Sequence, residues 1–262
     1  MRCAETSAGE PLAATATVAT RFLAVEHRDR WGREPLDDET ALPAPVREAG
    51  QAFDGRVLLI RRPDRREGPT AAFVADVEEG GGTLRAAAAS GLAGEPVAGP
   101  LFLVCTHGRR DRCCAQRGVP LYDALAPHID DGLLWQSSHH GGHRFAANLL
   151  VLPAGIQLGR VGPAEAARVA ARLAEGRIPL EHYRGRTLHS PRMQAADAAV
   201  RSHFRLERIV DVRPLSDDGE VVEVATPEVV VRVRVDERDG PVLPPSCGAE
   251  PEPTRHLVAR IG

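Results

Sequence analysis

Thiols and imidazoles are crowded into one stretch of this chain, and that crowding limits the folds open to it. Three of the five cysteines and five of the ten histidines fall between Cys105 and His143. The first segment, Cys105-Thr-His-Gly-Arg-Arg-Asp-Arg-Cys113-Cys114, follows the apolar run Leu101-Phe-Leu-Val104; the second is Ser138-His139-His140-Gly-Gly-His143-Arg144-Phe145. The apolar run reads as a buried strand and delivers Cys105 at its C-terminal end, where α/β sheets commonly place ligands. Soft donors at this density point to a bound metal or metal cluster.

At 262 residues the chain can bury a full core, as one large domain or two small ones. A formal net charge of -3 with an ordinary apolar fraction describes a soluble globular protein. No apolar run is long enough to cross a bilayer, and the N-terminus carries acids instead of the apolar centre of a secretory signal, so a cytoplasmic protein is expected. An odd number of cysteines spread along a long chain argues against a disulfide framework and favours thiolate ligands or free thiols. All 33 basic residues are arginine, which we read as the coding bias of a GC-rich bacterial genome. They are scattered among acids, so neither nucleic acid nor a membrane is an expected partner.

Hydrophobic patterning predicts strands over 17–26 and 56–60, a short helix over 44–51 and a hairpin pairing 71–77 with 83–88 around Gly80-Gly-Gly82. The Gly, Ala and Pro-rich stretch 90–100 is the best linker candidate. Beyond it come the strand ending at Cys105, a helix within 111–125 expected to be split at Gly118 and Pro120, a strand over 133–135 and a hairpin over 149–161. Helices over 163–175, stopped by Gly176, and from Ser190-Pro191 to Phe204 have conventional ends. Strands are expected over 209–212, 221–225 and 229–235, then a loose Pro-rich tail and a last strand over 256–261. The fold class is α/β in three parts: an N-terminal α/β unit (1–95), the ligand-bearing domain (96–204) and a β-rich extension (205–262). Whether the first unit is a second subdomain of the same fold as the ligand-bearing domain or part of one continuous sheet is left open.

A [2Fe–2S] cluster needs four protein ligands, normally thiolates, and a histidine pair can replace two of them. Cys105 and one of Cys113 or Cys114 supply two thiolates; His139 and His143, four apart, share a side if their segment is helical. The run Cys105 to Ala115, the stretch Trp135-Gln-Ser-Ser-His-His-Gly-Gly-His-Arg-Phe-Ala-Ala-Asn148 and Leu152-Pro-Ala-Gly155 together resemble the sucrase/ferredoxin-like family of thioredoxin-like [2Fe–2S] ferredoxins. The resemblance runs from about Cys3 to Phe204. It implies a thioredoxin-like fold around these segments and a cluster held by Cys105, Cys114, His139 and His143, with Cys113 a bystander. His107, Arg110, Asp111, Cys113, His140 and Arg144 are the positions expected around the ligands. His107 is read as a loop hydrogen-bonding residue, His140 as a proton donor or a solvent-facing ring, and Cys3 and Cys247 as isolated free thiols.

The function expected is that of an electron carrier or redox sensor exchanging single electrons with unidentified redox proteins, rather than an enzyme in its own right. Two readings compete with it. One is a structural zinc module on the same four ligands, ranked lower because the usual Cys-x2–4-Cys spacing is absent. The other is a thioredoxin-like thiol oxidoreductase with Cys114 or the vicinal pair as nucleophile, ranked third because no Cys-x-x-Cys is present.

Overall fold

The computed structural model describes residues 2–37, 40–65, 67–87 and 93–262. A short helix α1 (Cys3–Thr6) precedes β1 (Arg21–Glu26), α2 (Ala44–Ala52), β2 (Arg56–Arg61), β3 (Ala72–Asp76), β4 (Thr83–Ala87) and a short edge strand β5 (Gly94–Pro96). The chain continues through β6 (Leu101–Cys105), α3 (Arg112–Leu125), β7 (Leu134–Ser137), β8 (Leu149–Leu152), β9 (Ile156–Leu158), α4 (Ala166–Ala174), β10 (Tyr183–Arg186) and α5 (Pro191–Phe204). A separate antiparallel sheet ends the chain: β11 (Arg213–Asp217), β12 (Val221–Ala225), β13 (Val230–Leu243) and β14 (Glu252–Ile261). The architecture is α/β with a β-rich C-terminal region. Among the described residues no helix is long and apolar enough to cross a membrane.

One ten-stranded sheet, in the order β10-β9-β8-β6-β7-β2-β1-β3-β4-β5, contains the same plan twice. In the second half β6 runs parallel to β7 across helix α3, pairs antiparallel with β8 on its other side, and β8 pairs antiparallel with β9. This is the thioredoxin-like arrangement. In the first half β1 is parallel to β2 across α2, antiparallel to β3, and β3 is antiparallel to β4. The halves meet where their equivalent second strands pair antiparallel, Ile60 opposite Ser137 and Arg61 opposite Gln136. The N-terminal unit is thus both a second unit of the same topology and part of one continuous sheet.

Apolar residues of both halves share one face of that sheet: Phe22, Leu58, Ile60 and Phe73 lie in one core with Leu103, Trp135 and Leu150. The sheet curls, so that the rings of Phe73 and Trp135 approach to 5.8 Å between centroids although two strands separate β3 from β7. On the opposite face α3 and α4 cover the second half with Leu121, Leu125, Val169 and Leu173. Each such side chain contributes roughly 1.5–3 kcal/mol by leaving water.

Several expectations are corrected. Helix α3 is continuous through Gly118 and Pro120. The proline costs about 3 kcal/mol in a helix interior, which the burial of Leu121 and Leu125 directly after it offsets. Residues 209–211 form a 3-10 turn, not a strand. The surrounding chain wraps the buried Arg201 guanidinium, which donates to the carbonyl oxygens of Leu206, Arg208, Ile209 and Val212 at 2.8–3.3 Å. The Pro-rich tail is not loose: β13 and β14 are long partners, and the turn between them, carrying Pro245 and Cys247, folds back onto the ligand segments. The strand expected from residue 17 starts at Arg21. Residues 88–92, the end of the expected hairpin and the start of the expected linker, lie outside the described residues, and β5 occupies part of the remainder.

Candidate metal centre

Cys105 closes β6, and Cys114 sits in the first turns of α3. Their close approach depends on Gly118, since a Cβ there would stand 2.0 Å from the carbonyl oxygen of Cys105. The glycine lets the helix lie against the strand that delivers the thiol. Both Sγ atoms lie 3.7 Å from Nδ1 of His139, and the three donor atoms are within 4.8 Å of one another. Cys105 is 1% exposed and Cys114 is fully enclosed, whereas His139 is half-buried and faces a groove lined by Leu36, Arg56 and Val57.

The His139–Phe145 segment is not an α-helix, so the histidines are not related by a helical turn. Gly141 and Gly142 hold φ of 99° and 71°, and Cβ atoms there would come within 2.1 Å of Thr17 Oγ1 and 2.2 Å of Arg184 Nη2. Both glycines are required by backbone and by space. The loop nevertheless brings His143 beside His139, with ring centroids 5.2 Å apart. His143 Nε2 donates to the carbonyl of Pro245, which fixes its proton on Nε2 and leaves the lone pair on Nδ1. That Nδ1 is buried without a hydrogen-bond partner, as a nitrogen reserved for a cation would be. His143 itself stands outside the tight group of three.

Around these donors the polar groups are specified. His107 Nε2 donates to Gly32 O at 2.7 Å, and its Nδ1 accepts the backbone N–H of His139 at 3.2 Å. With both nitrogens occupied, His107 positions the His139 loop. Burial lowers its pKa, which keeps Nδ1 free to accept. His140 is fully buried, not solvent-facing; desolvation lowers its pKa to about 4, and its Nδ1 lies 3.3 Å from the Gln157 amide. Between the two thiols Cys105 is the more acidic, held well below the usual thiol range by the hydrogen bond from Cys114 and by His139, against the opposing effect of burial. Sharing that proton pushes Cys114 up.

Arg110 pairs with Glu34 of the N-terminal half, and Arg144 pairs with Glu10 at 3.1 Å while lying over the Phe145 ring. Asp111 caps α3 by accepting the N–H of Cys113 at 2.8 Å. Cys113 points away from the donor set, toward Cys3 and Cys247, 3.7 and 3.3 Å away. The three thiols expected to be inert or isolated are therefore gathered with Asp111, because α1 and the β13–β14 turn both fold onto the start of α3.

Sequence reasoning missed Arg184. It is 1% exposed and donates to Gly141 O at 3.1 Å and Asn148 Oδ1 at 2.9 Å, placing a buried cation under the His-x-Gly-Gly-His loop. Burial lowers its pKa to about 9, against the upward pull of the Cys105 and Cys114 thiolates. With Arg144 and Arg160 it surrounds the Phe145 ring, three guanidiniums at 4.7–5.3 Å from the centroid. Nothing in Tyr183-Arg-Gly-Arg186 distinguishes this residue from a solvated arginine.

Among solved structures, a cysteine-to-serine variant of the thioredoxin-like [2Fe-2S] ferredoxin from Aquifex aeolicus is similar at 17% identity, over 30% of this chain and 89% of that one. The TM-score is 0.26, too slight a superposition to carry a structural argument. No curated protein matches the chain significantly. The profile of the sucrase/ferredoxin-like family matches residues 12–185, which include both ligand segments and Arg184 and leave out Cys3, Cys247 and the C-terminal sheet. The chain belongs to the sucrase/ferredoxin-like family.

Proposed function

We propose that Cys105, Cys114, His139 and His143 hold a [2Fe–2S] cluster through which the protein, in the cytoplasm, exchanges single electrons with redox-protein partners. The observation that carries this reading is the convergence of two enclosed thiols on His139 Nδ1, with the unpartnered Nδ1 of His143 beside it. The bound cluster would supply one-electron redox chemistry, with a potential raised by its imidazole ligands above that of an all-thiolate site. The chain's own residues do the rest. Pro245 fixes the His143 tautomer, His107 holds the His139 backbone, and Arg184 offsets negative charge beneath the loop. The half-exposed His139 beside the Leu36–Arg56 groove would be the place where a docked partner approaches the cluster.

A zinc ion on the same donors is the second reading. The 3.7 Å spacing of each thiol from His139 Nδ1 suits a compact tetrahedral site. A catalytic thiol has less support, because a nucleophile at 0–1% exposure cannot meet a substrate. Anaerobic purification with analysis of iron, acid-labile sulfide and zinc separates the three. Iron and sulfide in equal amounts with a red-brown spectrum are expected. Zinc without sulfide, lost when Cys105 or Cys114 is replaced, would overturn the cluster in favour of the second reading.

A further inference from the structure

The three cysteines outside the donor set meet one another. Cys3 comes from α1, Cys113 from the second residue of α3, and Cys247 from the β13–β14 turn, so segments from both ends of the chain converge on the start of the helix that carries Cys114. The Sγ–Sγ separations are 3.7 Å for Cys3–Cys113, 3.6 Å for Cys3–Cys247 and 3.3 Å for Cys113–Cys247. Both Asp111 oxygens stand 3.6–3.7 Å from Cys3 Sγ, and all four side chains offer a donor atom within 4.8 Å of the others. Zinc bound at about 2.3 Å to sulfur in a tetrahedron spaces its thiolates about 3.8 Å apart. The spacing here is that of such a site already assembled. A disulfide needs the sulfurs at about 2.05 Å, and all three cysteines are free.

Burial sharpens the argument. Cys3 and Cys113 are 0% and 1% exposed and Asp111 is 4% exposed, so a carboxylate is enclosed beside thiols, with Cys3 Sγ donating to it and His143 Nε2 4.0 Å from Oδ2. Each Asp111 oxygen accepts one backbone N–H, Oδ1 from Cys113 at 2.8 Å and Oδ2 from Cys247 at 2.9 Å. A carboxylate oxygen has a second lone pair for a cation. Those N–H bonds act here as the outer contacts that orient a metal-binding carboxylate. Cys247 also lines a surface pocket with Arg2, Gly108 and Arg112, giving an ion a way in and placing cationic side chains near a site with surplus negative charge.

We infer that Cys3, Cys113, Cys247 and Asp111 form a second, structural metal site for a thiophilic divalent cation of the zinc class, separate from the Cys105 donor set. The ion clamps both ends of the chain to the head of α3. It also anchors the turn that presents the Pro245 carbonyl to His143. Cys3 and Cys247 lie outside the stretch matched by the family and Asp111 and Cys113 lie within it, so two of the four donors come from the segments that flank that stretch.

The test is metal analysis of the full-length purified protein together with Cys247→Ser, Cys3→Ser and the double variant Cys105→Ser/Cys114→Ser. One equivalent of zinc is expected in the parent and in the double variant. It should be lost from Cys247→Ser and from Cys3→Ser, while their iron and sulfide are retained. Cobalt(II) added to chelator-treated parent should give the thiolate-to-metal charge-transfer absorption of a tetrahedral site, absent in Cys247→Ser. A parent with neither zinc nor cobalt uptake, zinc that persists in Cys247→Ser, or a Cys113–Cys247 disulfide in peptide maps of anaerobically handled protein would each overturn the site. Iron and sulfide report the Cys105 cluster independently, so failure of one assignment is distinguishable from failure of the other.

Discussion

The two halves of the ten-stranded sheet share a strand plan but diverge immediately after its first strand. After β1 comes a long loop, with Glu26 buried at the strand end and paired to Arg28 at 2.8 Å, and Trp31 packed over His107. β6 ends on Cys105, and a short loop leads at once to the helix bearing Cys114. The same position of the same plan therefore holds an ion-paired carboxylate in one half and a thiol in the other. The first half buttresses the donor segments: Gly32 accepts from His107, and Glu34 pairs with Arg110. Chemistry here comes from loops on a repeated scaffold, as sites grafted onto folds generally do.

That contrast breaks most sharply at the strand ends. Cys105→Ser should abolish essentially all iron binding, whereas Glu26→Gln at the equivalent end of β1 should leave iron per folded chain unchanged; iron analysis of monodisperse protein decides it. The loops come next. Gly142→Ala must place a methyl against Arg184 at a left-handed φ and should cost on the order of 1–3 kcal/mol in denaturant unfolding. Gly80→Ala, in the first-half hairpin where an added Cβ meets nothing within 4 Å, should stay within about 0.5 kcal/mol.

A smaller effect concerns charge. Arg184→Met removes a buried cation near the thiols, and the proposed cluster would gain negative charge on reduction, so its midpoint potential should fall by roughly 60 mV, a tenfold change in a one-electron equilibrium. Arg184→Lys should restore most of it. The smallest effect lies where the halves touch across the curled sheet, at His189 beside Glu79. Desolvation lowers the His189 pKa from 6.5 to about 4, so the unfolded chain takes up its proton first. Its contribution is whole above about pH 6.5 and is lost as pH falls toward 4. Melting temperatures of His189→Asn should depend less on pH than the parent's over that window.

Much of the fold was legible in the sequence because local signals and burial agree. The run Leu101–Val104, the Ser190-Pro191 cap and the Gly80-Gly-Gly82 turn each dictate their element locally, and each element formed. The hidden features depend on contacts across the chain. No spacing rule joins Cys3 to Cys113 and Cys247, since only folding of both termini onto α3 brings them together. The repeat of the strand plan could be raised from the sequence but not decided, because the halves share topology without shared motifs. Residues 209–211 look like a strand until the buried Arg201 claims the carbonyls of Ile209 and of Arg208 and Val212 on either side. His139 and His143 meet through two left-handed glycines, a route that period-counting on a helix does not describe.

The central claim is that imidazoles ligate a redox cluster, and a midpoint titration of the native protein as a function of pH tests it most directly. Histidine ligands carry a second ring proton that is lost more readily from the oxidised cluster, so the potential should be level at low pH and fall in the alkaline range. The slope should approach about 59 mV per pH unit for one proton per electron. A potential that stays flat through alkaline pH, from a protein containing iron and sulfide, would contradict histidine ligation.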